Sequence, residues 1–368
     1  MLAELARTDF PRYLQRLKEI VRAELIPAET RLSDAEGCPE DIAARLRELG
    51  LFGMTIPTRH GGLGLDMEQQ VLVTLALTYA SACFRSRVST TLGLCSQAIL
   101  FNGTEAQCAR YLPEMASGQL TAAFALTEEG AGSDAGAVAT VAARNGSDYV
   151  LTGRKRYITN ANIAGLFVVI ARVDPSKAGP AGLAAFLIER GTPGLTTGPV
   201  DVKLGQAGAP TAEVILDGCR VPSSALLGGR EGDGFKNAMA GINTARLHVA
   251  ATCVGQSERL LDEALAYARS RRQFGQAIAE FQSVGNMLAE MRAESLAGRA
   301  MVLDTARRFS SPPDAHVVAD IASCKLFASE MVCRVADRAV QIHGGAGYME
   351  ATAVARLYRD VRLFRLFE

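Results

Sequence analysis

The sequence predicts a mixed α and β fold in which a β domain sits between two helical ones, and three observations carry this reading. Over residues 1–118 apolar residues recur at three- and four-residue spacing, as amphipathic helices require. Over 119–234 the texture changes to short alternating or β-branched runs punctuated by turn residues, and over 235–368 long helical periods return. The 368 residues amount to two or three domains at roughly 150 residues each, enough to bury a substantial core.

In the first segment the helical spacing runs through Leu2 to Leu25, Ile42 to Leu51 and Gln69 to Leu100, with a Gly-rich break, PTRHGGLGLD, at 57–66. In the second, YVLTGRKRYIT (149–159), LFVVIARV (166–173), LAAFLIE (183–189) and AEVILD (212–217) read as strands separated by Asn-Gly, Gly-Pro and Pro-Gly turn signals. In the third, Leu247, Val254, Leu261, Leu265 and Ala268 form one stripe, and Val284, Leu288 and Met291 a second. A third stripe runs Val317, Ile321, Cys324, Ala328, Val332, Val335 and Ile342, and three or more long helices point to a bundle. Pro312 and Pro313 break the pattern where antiparallel neighbours would be joined.

Lys plus Arg is 39 and Asp plus Glu is 39, so the chain has no net field with which to hold a polyanion, which argues against nucleic acid as a partner. Hydrophobic content of 48% against 21% charged describes a well-buried globular chain, and with no Trp its core must be mostly aliphatic. The eight cysteines are scattered singly with no C-x-x-C pair, so reduced, buried thiols are expected. The N-terminal stretch carries Glu4 and Asp9 and reads as an amphipathic helix rather than a targeting peptide. No apolar stretch reaches the roughly 18 residues of a membrane span, and the expected location is the cytoplasm.

Few segments carry chemistry on their own. TEEGAGSD (127–134) is a Gly/Ser-rich turn whose backbone N–H groups can bind a phosphate or a flavin edge, but outside a strand-turn-helix context it is equally a plain loop. GGAG (344–347) follows an apolar helical stretch and serves as well as a helix C-terminal cap. SRRQFG (270–275) is a basic cluster closing a long helix, where its charge opposes the macrodipole. His60, His248, His316 and His343 show no metal-binding spacing, and the G-x-S-x-G of a serine hydrolase is absent.

Taken together and in order, these pieces resemble the flavin-dependent acyl-CoA dehydrogenases over essentially the whole chain. The matching segments are PTRHGGLGL (57–65), FALTEEGAGSD (124–134), RKRYITNA (154–161), TARLHVAA (244–251), RRQFGQAIAEFQ (271–282), QIHGGAGY (341–348) and RDVRLFRLFE (359–368). The resemblance implies an N-terminal α-helical domain, a middle β-barrel-like domain, a C-terminal four-helix bundle and FAD as cofactor. It places Phe124, Leu126, Thr127, Gly132 and Ser133 on the isoalloxazine, with Tyr157 and Thr159 covering its other side. The family usually has Trp at the Tyr157 position and often Pro at the Glu129 position; Tyr keeps a stacking face and adds a hydroxyl. Arg271, Phe274 and Gln282 match residues that hold the pyrophosphate and adenosine. Gln341 and Gly345 match residues that reach the same cofactor from a neighbouring subunit, which implies a dimer-of-dimers homotetramer.

The family reaction removes two hydrogens across the α and β carbons of an acyl thioester: a carboxylate takes the α proton while the β hydrogen leaves as hydride to flavin N5. Glu368 aligns with that carboxylate, which in the family is normally followed by Gly and Thr and a short helix, so a continuation beyond Glu368 is expected. A minority of relatives place the base just before Arg246, but this chain has Ala245 there, and Arg246, with Asn243, is assigned to the pocket or the CoA chain.

The acyl group is read from ACFRSRVST (82–90), where Arg85 and Arg87 interrupt an otherwise apolar helix and need partners. The segment resembles the acyl-pocket helix of the glutaryl-CoA dehydrogenase branch, in which residues at the Arg85 and Ser89 positions bind a distal carboxylate. These two lie four apart, on one helix face; an Arg paired with a structural carboxylate is the alternative. The expected substrate is a short acyl-CoA with a polar or acidic end, followed by a plain short or medium fatty acyl-CoA. The expected electron acceptor is an electron-transferring flavoprotein. An oxygen-using relative, a carrier-protein-dependent one and a non-catalytic flavin- or acyl-carrier-binding protein are the competing functions.

Overall fold

The computed structural model describes residues 2–232, 234–310 and 313–368, with the backbone alone for 234–240 and 243. Helices fill the first part: α1 Leu2–Thr8, α2 Phe10–Ile20, α3 Ile26–Ala28, α4 Glu40–Glu48, α5 Met67–Leu77, α6 Ala82–Ser89, α7 Ser96–Asn102 and α8 Glu105–Ser117. Their starts are locally specified: Asp66 with Gln69 and Thr104 with Gln107 form capping boxes on α5 and α8. Tyr13, Leu17, Leu46, Phe52 and Phe84 pack into one core beneath them.

The helical spacing from Gln69 to Leu100 is interrupted at Thr78–Ser81, and the cause lies far away in sequence. Gln256 Nε2 donates to the carbonyls of Thr78 (2.5 Å) and Ala80 (2.7 Å), satisfying groups that a continuous helix would have paired internally. Gly255 sits against the same turn; a Cβ there would lie 2.3 Å from Thr78 Oγ1. The break redirects the chain so that α6 points its Arg85 face inward.

The middle part is one seven-stranded sheet, β1 Ala122–Ala125, β2 Val141–Asn145, β3 Asp148–Thr159, β4 Leu166–Arg172, β5 Leu183–Glu189, β6 Leu195–Val200 and β7 Thr211–Pro222. The order is β1-β4-β2-β3-β7-β6, with β5 on the other edge of β4. The sheet curls into a half-barrel. β4 is buried on both faces, which explains its continuous apolar run: Phe167, Val169 and Ala171 enter the barrel core, while Leu166, Val168 and Ile170 pack against Leu112 and Met115 of α8.

The last part holds α9 Gly234–Ser270, α10 Gln282–Arg307, α11 Ala315–His343 and α12 Ala353–Val361, with a small hairpin, β8 Arg272–Gln273 and β9 Gln276–Ala277, between α9 and α10. Met291, Val302, Ile321, Ala328, Val332 and Val335 fill the bundle core, as the three stripes require. Pro312 lies outside the described residues. The mixed α and β fold, with helical domains on either side of a β half-barrel, is thus the one expected from the sequence. Among the described residues no helix is long and apolar enough to cross a membrane.

α12 is fastened to both other parts. Buried Glu29, beyond α3, accepts from Ser81 N at 2.7 Å and pairs with Arg356 of α12, and Asp360 accepts from the Gln206 amide at 2.5 Å. These buried polar ties fix where the chain after α12 emerges. Phe364, 1% exposed, anchors that segment in the bundle core and places Glu368 against α9 and α6.

Candidate active site

α6 presents Arg85 and Ser89 one turn apart to a narrow cavity whose other walls include Met54, Leu77, Val88, Leu92 and His248. The two arginines of this helix have different fates. Arg87 donates to Thr121 Oγ1 at 3.0 Å and lies 5.3 Å from the Phe52 ring centre, a structural role. Arg85 is 9% exposed and no described residue hydrogen-bonds to it or forms an ion pair with it; Glu368 is the carboxylate that faces it. Burial pushes the Arg85 guanidinium down while Glu368 opposes the shift, and it stays charged.

Glu368 is half-buried, and its Oε2 is buried with no hydrogen-bond partner among the described residues. Burial raises the carboxyl above its ordinary range, against the opposing pull of Arg85, Lys325 and Arg246. Arg246 Nε donates to the Glu368 main-chain oxygen at 3.0 Å. Ala245, the alternative base position, is buried beside it and offers no titratable group. The Asn243 side chain lies outside the described residues. This corner holds a desolvated carboxylate with three cations disposed around it.

A second surface is formed by the loop after β1 and the end of β3. Arg156 N donates to the Thr127 carbonyl at 2.8 Å, and Lys155 Nζ reaches the Leu126 carbonyl at 3.2 Å and Glu128 at 2.7 Å, so loop and strand are joined by a buried ion pair. Glu128 also accepts from Ala139 N and Thr140 N. Phe124, Leu126 and Thr127 are half-buried, whereas Gly132 and Ser133 are exposed. Tyr157 is 61% exposed at φ 58°, standing out where the register of β3 with β7 shifts. Thr159 ends the strand, half-buried. An exposed ring beside backbone N–H groups that no described residue accepts from, at Gly132 and Ser133, fits a planar heterocycle with acceptor atoms along its edge, which a flavin is.

A third group lies at one end of the bundle. Tyr267 stacks on His343 at 4.2 Å, which brings the β8–β9 hairpin beside the turn that follows α11. Arg271, Phe274 (93% exposed, φ 52°) and Gln282 belong to the hairpin side, and Gln341 and Gly345 to the α11 side; all five are exposed. Gly344 at φ 58° ends α11, so the glycine run does cap the helix while leaving Gly345 on the surface. Among the described residues no hydrogen bond or ring contact joins this group to Tyr157 or the loop at 127–133.

His248, Lys325 and the Lys155–Glu128 pair are site-shaping residues that sequence reasoning did not single out. Lys155 was detectable in principle: the two-residue period of β3 puts it inward, where a lysine needs a carboxylate.

The family models of the acyl-CoA dehydrogenase N-terminal, middle and C-terminal domains match residues 12–119, 123–219 and 232–368. An acyl-CoA dehydrogenase of Bacillus subtilis is 36% identical over 352 residues, covering 96% of this chain and 92% of its own. The caffeyl-CoA reductase-Etf complex subunit CarC of Acetobacterium woodii is 37% identical over 330 residues, covering 90% and 86%. The solved structure of butyryl-CoA dehydrogenase from Megasphaera elsdenii superposes with a TM-score of 0.92 at 34% identity, covering 98% and 94%. The chain belongs to the acyl-CoA dehydrogenase family, whose members are FAD-dependent enzymes.

Proposed function

We propose that the protein removes the α proton and β hydride of a short acyl-CoA whose far end is polar or acidic, with Glu368 as the base. The observation that carries this reading is the buried, unpartnered Oε2 of Glu368 facing a buried Arg85 that no described residue pairs with. A thioester α proton is weakly acidic, so the base that takes it must be poorly solvated and raised in proton affinity, as burial makes Glu368. Ionisation has to be possible near neutral pH as well, and the cations Arg85, Lys325 and Arg246 supply that counterweight. The α proton passes to the Glu368 carboxylate, and the electron pair left on the α carbon forms the double bond as the β hydride departs.

The candidate holders of FAD are Phe124, Leu126, Thr127, Gly132, Ser133, Tyr157 and Thr159 for the ring, and Arg271, Phe274, Gln282, Gln341 and Gly345 for the remainder. Bound there, FAD supplies the hydride acceptor. The protein orients the ring by clamping the loop to β3 through Lys155 and Glu128. The cofactor's far half calls for exposed groups at the end of the bundle, and the match of Gln341 and Gly345 to residues that reach the cofactor from a neighbouring subunit favours completion by a second copy in a homotetramer. An electron-transferring flavoprotein is the proposed electron acceptor, in keeping with the name of the Acetobacterium relative.

For the acyl end, Arg85 and Ser89 share one wall of the cavity, and a buried guanidinium to which no described residue hydrogen-bonds asks for a hydrogen-bond partner from the ligand. The test is to add glutaryl-CoA or butyryl-CoA to the FAD-loaded protein without oxygen and follow bleaching of the flavin, repeating with Arg85→Ala. Bleaching by a polar-ended thioester that is lost in the variant supports the whole reading. Bleaching only by butyryl-CoA keeps the reaction and makes Arg85 structural, and no bleaching by either overturns the dehydrogenase reading.

A further inference from the structure

His248 lines the same cavity as Arg85 and Ser89, and the proposed reaction leaves it without a task. It is 2% exposed, on the stretch of α9 next to Arg246. A chain of hydrogen bonds fixes its tautomer. The Leu65 carbonyl only accepts, and Gln70 Nε2 donates to it at 2.7 Å, so Gln70 turns its Oε1 toward His248 Nε2, 3.1 Å away. An amide oxygen there requires that Nε2 carry the hydrogen. Burial, with Arg85 adding to it, pushes the imidazole down to about 3, so the ring is neutral and Nδ1 keeps its lone pair. No described residue donates to Nδ1.

The residues that line the cavity therefore have two opposite polarities to offer one ligand. Arg85 has only hydrogens to give, His248 Nδ1 has only a lone pair, and the Ser89 hydroxyl can do either. A carboxylate satisfies Arg85 but has no hydrogen for Nδ1 and sets its own lone pairs against the nitrogen's. Leaving a buried acceptor unmet costs discrimination.

We propose that the cavity selects acyl groups whose far end is uncharged and both accepts and donates, the primary carboxamide class, with its carbonyl oxygen on Arg85 and its N–H on His248 Nδ1. This rests on the dehydrogenase reading above and narrows its polar or acidic end to a polar one. Val73, Leu77 and Leu92 supply the apolar walls that the connecting methylenes need.

The experiment compares anaerobic flavin reduction of the FAD-loaded protein by glutaryl-CoA and by the thioester of the same length in which the distal acid is a carboxamide. The amide is expected to exceed the acid by about tenfold or more in kcat/KM. In His248→Leu that ratio is expected to collapse toward one. In Gln70→Glu, where a carboxylate against Nε2 favours the imidazolium and turns Nδ1 into a donor, the preference is expected to swing to the acid. An acid used as well as the amide by the native protein overturns the proposal whether or not the variants fold, as does an unchanged ratio in a folded His248→Leu. If acid, amide and butyryl thioesters all leave the flavin oxidised, the dehydrogenase reading itself has failed, and this proposal with it.

Discussion

Arg246 grips Glu368 by its main chain, Nε to carbonyl oxygen at 3.0 Å. This contact to the backbone fixes where the residue sits, and the carboxylate is left to face Arg85. The same cation also pulls the Glu368 carboxyl down. Arg246→Ala is therefore expected to loosen the base and raise its proton affinity together. The rate of anaerobic flavin reduction at neutral pH should fall by about tenfold or more, with a smaller change in the acyl-CoA concentration giving half-maximal rate. A change confined to that concentration would assign Arg246 to the CoA chain alone.

The pH profile follows from the direction of the Glu368 shift. As the proposed base Glu368 works ionised, and burial holds its carboxyl above the ordinary range, so kcat/KM is expected to rise with pH with a midpoint above the roughly 4.3 of an unperturbed glutamate. Arg85 is the strongest of the opposing cations, so Arg85→Met is expected to move the midpoint further up. Stopped-flow flavin reduction across a pH series measures both, and a midpoint that stays or moves down in the variant contradicts the arrangement.

The Lys155–Glu128 pair is a stability feature as well as a clamp. Lys155 is fully buried, and its ammonium is pushed down to about 8 by burial, with Glu128 opposing. Lys155→Met strands Glu128 in the interior, and the expected loss is about 3 kcal/mol by chemical denaturation. Lys155→Met with Glu128→Gln should recover part of it, because the uncompensated charge goes. Both variants should retain less FAD than the native protein, read as flavin absorbance per polypeptide.

Asp360 gives stability a pH dependence of known sign. Burial raises its carboxyl to about 6 from an ordinary value near 3.8, against the hydrogen bond from Gln206 N and the charges of Arg356 and Arg359. A folded-state value above the unfolded one means that the protonated form stabilises the fold; the contribution is complete below about pH 4 and is lost as pH rises through 6. Two units correspond to about 3 kcal/mol. Asp360→Asn should therefore flatten the decline of Tm between pH 5 and 7 relative to the native protein. An equal decline in both would show that Asp360 ionises without cost.

The readability of these features in the sequence tracks how local their causes are. β4 and β5 stand out because burial on both faces makes their runs continuously apolar, and the bundle helices stand out because their stripes persist for many turns. β1, with four small or aromatic residues, β2, with one buried position in five, and β6, with Gly198 and Pro199, have no periodic signal and exist because longer strands pair with them. The break at Thr78–Ser81 is imposed by Gln256, and the tautomer of His248 by Gln70, 178 residues away in each pair. No local pattern encodes such contacts. The loop at 127–134, the exposed hairpin and Glu368 stand out in the sequence only as long motifs met in order, and Arg85 as a charge in an apolar helix that the fold buries.

The most direct test of the account is Glu368→Gln in the FAD-loaded protein, mixed without oxygen with a thioester that bleaches the native flavin. The substitution keeps the side chain's shape and removes its ability to take a proton. The account predicts unchanged FAD content and flavin reduction slowed by at least about a hundredfold. Reduction at the native rate would contradict it and place the base elsewhere.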